Sequence, residues 1–136
     1  MRRSAFAVVS LVLMAAAALA VAQDEHQAAA AISWDNWRAA KAMAEKSDNE
    51  GKLVEALQYY LEYTRQAEGL GNQELVAWGK NNAAYMIIKR HKTDPSVDLA
   101  PARKLLEEGM AIEAAAADCK RALAMNKEYV DLFLKK

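Results

Sequence analysis

Apolar side chains recur at steps of three and four residues through most of the chain, without the strict alternation that is typical of a strand. The clearest case is the stretch 53–64, where this spacing places the apolar side chains on one helical face. Alanine, leucine, lysine and glutamate, which are favourable helix formers, dominate the composition. The pattern predicts an all-α protein.

Five helices are predicted from this periodicity and from the residues at its interruptions. The first three span about 34–46, 50–68 and 73–91, the fourth carries Leu99 to Met110, and the fifth spans about 119–134. The predicted N-cap residues are Ser33, Asn72, Asp98 and Asp118. The predicted breaks are 47–49, the glycine-containing stretch 69–71 and the loop 93–96.

The segment 99–135 allows two readings, because the alanines at 114–117 contain no helix breaker. It can form one long helix or two shorter ones. We favour a break at 114–118, since a helix of more than about thirty residues is uncommon in a small domain.

The N-terminus has the pattern of an export signal. Arg2 and Arg3 precede an uncharged run that ends in Ala20-Val21-Ala22, a small-x-small cleavage site. We therefore predict a signal peptide at 1–22, a tether at 23–33 and one domain at 34–136, acting in the periplasm or as a secreted protein. An uncleaved anchor is the alternative, but the alanine-rich second half of the run is weakly apolar, so we expect no stable membrane anchor after cleavage.

The charge balance argues against one class of partner, and the cysteine count excludes an internal disulfide. Lysine plus arginine and aspartate plus glutamate each total 18 in a chain of 136 residues. There is no basic excess to attract phosphates, which argues against nucleic acid. Cys119 is the single cysteine, so an internal disulfide cannot form.

Two segments carry the spacing of a known helical repeat. In the first, Gly51, Ala56 and Tyr60 stand at the places of a turn glycine, a small close-packing residue and an aromatic. The second segment carries the matching positions Trp78, Asn82, Tyr85, Ala102 and Leu106. The chain resembles the tetratricopeptide-repeat family over 37–70 and 74–112, with 118–135 as a capping helix.

This resemblance implies a short array of antiparallel helix hairpins, a solenoid, that binds a peptide or protein along a concave surface formed by its first helices. The positions that match this surface are Arg38, Lys41, Glu45, Val76, Ala83, Met86 and Ile87. A lysine–asparagine clamp for a peptide carboxylate is not expected, because Glu45 stands where the asparagine belongs. The apolar members predict a hydrophobic groove; alternatively, they pack against the fifth helix.

Residues that could bind a metal or take part in catalysis are few and lie far apart in the sequence. His26 and His91 are far apart in sequence, and Cys119 has no histidine near it, so no metal, cofactor or catalytic residue is predicted. Trp34, Trp37 and Trp78 could form a ligand patch, although aromatics at helical spacing are usually core residues.

We therefore predict a non-catalytic, exported protein-binding module. One alternative is a small-molecule carrier with an apolar pocket near Trp78, Tyr85 and Met86, and another is a structural envelope component without a groove. An enzyme would require His91 or Cys119 to meet a carboxylate in a cleft. The open end of a short solenoid also offers a surface for a homodimer.

Overall fold

The computed structural model describes residues 29–135, and its five helices all lie within the unit Ile32–Lys136. The helices are α1 (Trp34–Asn49), α2 (Leu53–Gly69), α3 (Gln73–Thr93), α4 (Ala100–Met110) and α5 (Ala117–Leu134). Residues 29–135 contain no strand. The all-α prediction with five helices is confirmed, whereas the predictions for 1–22 and for His26 fall outside the described residues.

Two helix starts follow the predicted capping. Ser33 Oγ accepts a hydrogen bond from the backbone N–H of Asn36 at 3.0 Å, and Asn72 Oδ1 accepts one from Leu75 at 3.0 Å. Each bond satisfies one of the amide groups that the first helical turn leaves unpaired. The backbone N–H of Ser33 also donates to Oε1 of the buried Gln66 at 2.9 Å, which attaches the start of α1 to α2.

The predicted break at 47–49 is wrong, because α1 continues to Asn49. Ser47 is buried rather than capping a new helix, and the chain turns at Gly51, whose φ of +73° lies in the left-handed region. A residue without Cβ adopts this conformation at little cost. The turn is therefore formed at the glycine, four residues after the polar cluster begins at Ser47.

The starts of the last two helices differ slightly from the predictions. Leu99 rather than Asp98 is the N-cap of α4, although Asp98 Oδ1 accepts a hydrogen bond from Ala100 at 2.9 Å. Ala116 is the N-cap of α5, and Asp118 lies in its first turn. The interruption between α4 and α5 shows that 99–135 forms two helices rather than one.

The helix α3 is the centre of the fold. Each helix packs against the one before it, and α5 also packs against α3. Polar contacts join α3 to three of its neighbours: Lys89 to Asp48 of α1 at 2.7 Å, Lys80 to Glu108 of α4 at 2.6 Å, and Asn81 to Asn126 of α5 at 2.9 Å. The core lies along α3 because all the other helices meet there.

Small residues allow these helices to approach closely. Ala56 and Ala102, which were predicted as close-packing positions, are fully buried. A Cβ added at Gly79 of α3 would collide with Thr64 Oγ1 and lie 2.8 Å from Tyr63 Cδ1, both on α2. The backbones of α2 and α3 can therefore pack at this separation only because position 79 lacks a side chain.

Candidate partner-binding groove

A surface depression of about 320 Å³ is formed by side chains of α1, α2 and α3. We call it the α1–α3 groove. Its lining residues are Trp37, Lys41 and Glu45 of α1, Tyr60 and Tyr63 of α2, and Leu75, Trp78 and Asn82 of α3. Tyr60 and Tyr63 are nearly inaccessible, whereas the α1 and α3 residues are partly or fully exposed. The two tyrosines thus form the floor, and α1 and α3 supply the walls.

Aromatic rings run continuously from α1 into the floor. The Trp37 ring centroid lies 5.7 Å from that of Trp34 and 5.1 Å from that of Tyr63, and Tyr63 lies 6.3 Å from Tyr60. These separations are typical of favourable edge-to-face and tilted pairs. Ring packing against the floor consequently holds the partly exposed Trp37 ring, which does not need to reorganise before contact.

Charge is confined to the rim of the groove. Lys41 Nζ lies 3.7 Å from Glu45 Oε1 and 6.0 Å from the Trp37 ring centroid, and about half of each of the two charged side chains is exposed. An ion pair this exposed contributes little to stability, so either group can exchange its partner for a ligand group at small cost. The Asn82 side chain adds an amide that can both donate and accept.

Burial governs the ionisation of the floor. It raises the pKa of Tyr63 to about 12, and the Trp37 indole N–H acts in the opposite direction. That N–H is itself buried and has no acceptor in good hydrogen-bonding geometry among residues 29–135. Burial also raises the pKa of Tyr60, aided by the carboxylates of Asp48 and Glu45. Both hydroxyls therefore remain neutral around pH 7.

The sequence-predicted surface on α1 partly coincides with this groove. Lys41 and Glu45 line it. Arg38 does not, and its guanidinium instead pairs with Asp35 at 2.8 Å on an exposed side of the helix.

The predicted surface on α3 is wrong. Val76, Ala83, Met86 and Ile87 are between 0% and 5% exposed and belong to the core, so they cannot contact a partner. Ala83 and Met86 pack with residues of α1 and α2, and Ile87 packs in the larger cluster with α4 and α5. Their apolar character reflects the burial of α3 on several sides.

The residues assigned to repeat packing fall into two groups. Ala56, Tyr60, Ala102 and Leu106 are buried as predicted, and Gly51 forms the α1–α2 turn. Trp78 is partly buried and packs against the larger core cluster, whereas Asn82 and Tyr85 lie at the surface edge of α3; Trp78 and Asn82 also line the α1–α3 groove. The signal for them was the spacing of Leu75, Trp78 and Asn82, which marks a single face of α3.

The residues considered for chemistry lie away from the groove. Cys119 is fully buried, and burial raises the pKa of its thiol to about 11, aided by the carboxylates of Asp118 and Glu74. His91 is buried, with Nδ1 3.0 Å from the Tyr129 hydroxyl and its ring centroid 4.6 Å from that of Phe133. Both residues act here as packing partners for aromatic and aliphatic side chains.

Two larger depressions lie along α5. One, of about 440 Å³, lies at the surface between α3 and α5 and is lined by Tyr85 and Tyr129. Lys92 Nζ lies 5.8 Å from the ring centroid of Tyr85 and 5.3 Å from that of Tyr129. The other, of about 500 Å³, lies between Met110 and the outer side of α5. Trp78, Tyr85 and Met86 do not share a cavity, since the first two line different depressions and Met86 is buried. None of the three depressions described here therefore brings together the three residues named for a small-molecule carrier.

Among residues 29–135, no group of three or more histidine, cysteine, aspartate or glutamate side chains is arranged to hold a metal ion. None of the helices there has both the length and the apolar character needed to cross a bilayer.

Comparison with protein-family models, with curated proteins and with solved structures gives no match to this chain.

Proposed function

We propose that the chain is a non-catalytic protein-binding module, which holds a peptide or protein segment in the α1–α3 groove. The observation that carries this proposal is that two tryptophans from different helices, Trp37 and Trp78, line one depression whose rim also offers an ion pair and an amide. Rigid aromatic rings supply contact area at a low cost in side-chain entropy, and they are enriched where proteins recognise one another.

The composition of the groove favours an extended segment with at least one apolar side chain. Such a side chain can contact Trp78 and Leu75, while Asn82 pairs with the N–H or C=O of the segment's backbone. Lys41 and Glu45 then select for charges that flank the apolar residue. The groove has an apolar centre and a polar rim, which is the usual arrangement of a recognition surface.

The proposal extends to the architecture and the location of the protein. A groove walled by α1 and α3, with α2 as its floor, fits two successive hairpins of tetratricopeptide type. Export with cleavage after Ala22 would make the partner an envelope or extracellular protein. Mass spectrometry of the protein from the periplasmic fraction tests this directly, because a chain that retains Met1–Ala22 would contradict cleavage.

Selection from a random peptide library displayed on phage tests the binding role. Peptides enriched on the purified protein are measured by fluorescence anisotropy against wild type and against two groove variants, Leu75→Asp and Lys41→Glu. We expect each variant to weaken binding by about tenfold or more, since it changes a wall of the groove. Leu61→Asp is the matched control, because Leu61 is an exposed α2 residue outside the groove.

The outcome that would contradict the proposal is equally clear. Enriched peptides that bind the groove variants and the Leu61→Asp control with the same affinity as wild type would place recognition elsewhere. Circular dichroism of all the variants must match wild type for the comparison to hold.

A further inference from the structure

The outward side of α5 carries a stripe of exposed residues. We call it the α5 stripe; its members are Ala117, Arg121, Ala124, Met125, Glu128 and Leu132. Met125 is 71% exposed and Leu132 is 64% exposed, which makes them highly exposed for large apolar side chains. The other side of α5 packs against α3 and α4. Within residues 29–135 no helix follows α5 to cover the stripe.

The stripe has a twofold pattern. Its positions are placed symmetrically about the midpoint between Ala124 and Met125. If a second α5 lies antiparallel across this midpoint, Ala117 meets Leu132 of the second copy, and Ala124 meets its Met125. A twofold interface uses the same patch on both subunits, so each of these contacts occurs twice. In both contacts a small side chain faces a large apolar one, which allows the helices to approach closely.

The charges of the stripe complement each other in this arrangement. Arg121 faces Glu128 of the second copy, and within the described chain neither side chain makes an ion pair. The nearby Lys127 and Asp131, in contrast, already pair with each other at 2.8 Å. A parallel arrangement would place Arg121 against Arg121 and Glu128 against Glu128, which is repulsive. The charges thus select the antiparallel pairing.

The neighbouring surface provides room for the second copy's side chains. The depression of about 500 Å³ between Met110 and α5 runs along the stripe and includes Ala124, Glu128 and Leu132 in its lining. Met110 is 45% exposed at its edge. An apolar side chain from a second α5 can enter this depression and bury Met110 together with Leu132.

We propose that the α5 stripe is the interface of an antiparallel homodimer of this chain. One helix pair buries less surface than a standard protein–protein interface, so the dimer is expected to dissociate in about the micromolar range. The interface lies on α5, whereas α1, α2 and α3 form the α1–α3 groove. The dimer therefore leaves both grooves open and does not depend on the function proposed for them.

Sedimentation equilibrium of the purified protein, at concentrations from about 1 to 500 µM, tests the proposal. Wild type should fit a monomer–dimer equilibrium. Arg121→Glu and Glu128→Arg should each weaken the dimer by about tenfold or more, because each creates two repulsive pairs. The double variant Arg121→Glu/Glu128→Arg should restore the wild-type dissociation constant to within about threefold, since the exchanged charges again face each other.

Two further variants separate this interface from general effects of charge and folding. Lys104→Glu reverses an 81% exposed side chain on α4 outside the stripe and should leave the dissociation constant unchanged. Leu132→Ser should weaken the dimer without changing net charge. The proposal would be overturned if wild-type protein stays monomeric over this concentration range. The same holds if the stripe binds a different protein but not a second copy of this chain. A dimer that the single reversals leave intact, or that the double variant fails to restore, would also overturn it.

Discussion

The substitution Gly79→Ala probes the crossing of α2 and α3 beneath the groove. The added Cβ would lie 2.8 Å from Tyr63 Cδ1 and still closer to Thr64 Oγ1. Carbon atoms prefer separations of about 3.5–4.0 Å, so the helices must move apart locally by roughly an ångström. Overpacking of this kind costs about 1–3 kcal/mol. The better helix propensity of alanine offsets about 1 kcal/mol of this cost.

The expected net loss is therefore about 0–2 kcal/mol in the free energy of unfolding, as the difference of these two effects. For a domain of this size each kcal/mol corresponds to a fall of about 4–8 °C in Tm. Urea and thermal denaturation followed by circular dichroism measure both quantities. Because Trp78 is adjacent to Gly79 and lines the groove, peptide affinity should fall together with stability.

A second substitution tests whether the loss of stability arises where α2 and α3 cross. Thr64→Ala removes the hydroxyl that the new Cβ would meet, although it also removes the 2.8 Å hydrogen bond from Thr64 Oγ1 to the Tyr60 carbonyl. In a double-mutant cycle the two substitutions should show a favourable coupling, since each relieves the cost of the other. Additive effects would mean that Thr64 does not limit the approach of the helices.

Gly69→Ala is the matched control. Its Cβ would lie 2.7 Å from side-chain atoms of Ile32, a flexible residue that is 42% exposed and can rotate away. We expect a change within about 0.5 kcal/mol, as for other surface substitutions. A Gly79→Ala variant about 1 kcal/mol more stable than wild type would refute the overpacking, because the helix-propensity gain would then be the only effect present.

Three further predictions concern groups whose ionisation the fold shifts. Burial raises the pKa of the Cys119 thiol to about 11, so at about pH 8 an aromatic disulfide reagent should modify folded protein at least about a hundredfold more slowly than protein in urea; equal rates would contradict its burial. Burial also raises the pKa of Tyr63 to about 12. Because an unfolded tyrosine ionises near pH 10, this stabilisation is complete below that pH and is lost as the pH rises to about 12, so alkaline melting curves should depend less on pH in Tyr63→Phe. The hydrogen bond from Lys80 lowers the pKa of Glu108. The stability that this ion pair contributes is therefore complete above the ordinary glutamate pKa and is lost as the pH falls through the folded-state pKa. Lys80→Met should make the free energy of unfolding depend less on pH on the acid side, and an unchanged acid side would exclude a contribution from the Lys80–Glu108 pair.

The helix content could be predicted from sequence because most helices are amphipathic and carry recognisable ends. Ser33 and Asn72 cap the helices expected of them. The α1–α2 turn was placed too early because Ser47, Asp48 and Asn49 are good capping residues, and capping chemistry alone does not show which polar residues become buried. The positive φ of Gly51 locates the turn instead.

Two of the three residues predicted on α1 line the depression, whereas the residues predicted on α3 are buried, and the difference has a physical reason. Most of α1 is exposed away from α2, so its register could be inferred and Lys41 and Glu45 were placed in the groove. In α3, by contrast, apolar residues occur on several faces because the helix contacts four others, and periodicity does not distinguish a core face from a groove face. Only the three-dimensional packing separates Met86 from Trp78.

The central position of α3 has a consequence for how binding preference can change. The same helix supplies one wall of the groove and the middle of the core, so most substitutions in it would alter stability as well as recognition. The α1 residues that line the groove do not have both roles, since Lys41 and Glu45 are exposed and are joined to each other only by a weak ion pair. New specificities, whether acquired by natural variation or introduced by design, are therefore expected to arise first through exchanges on α1.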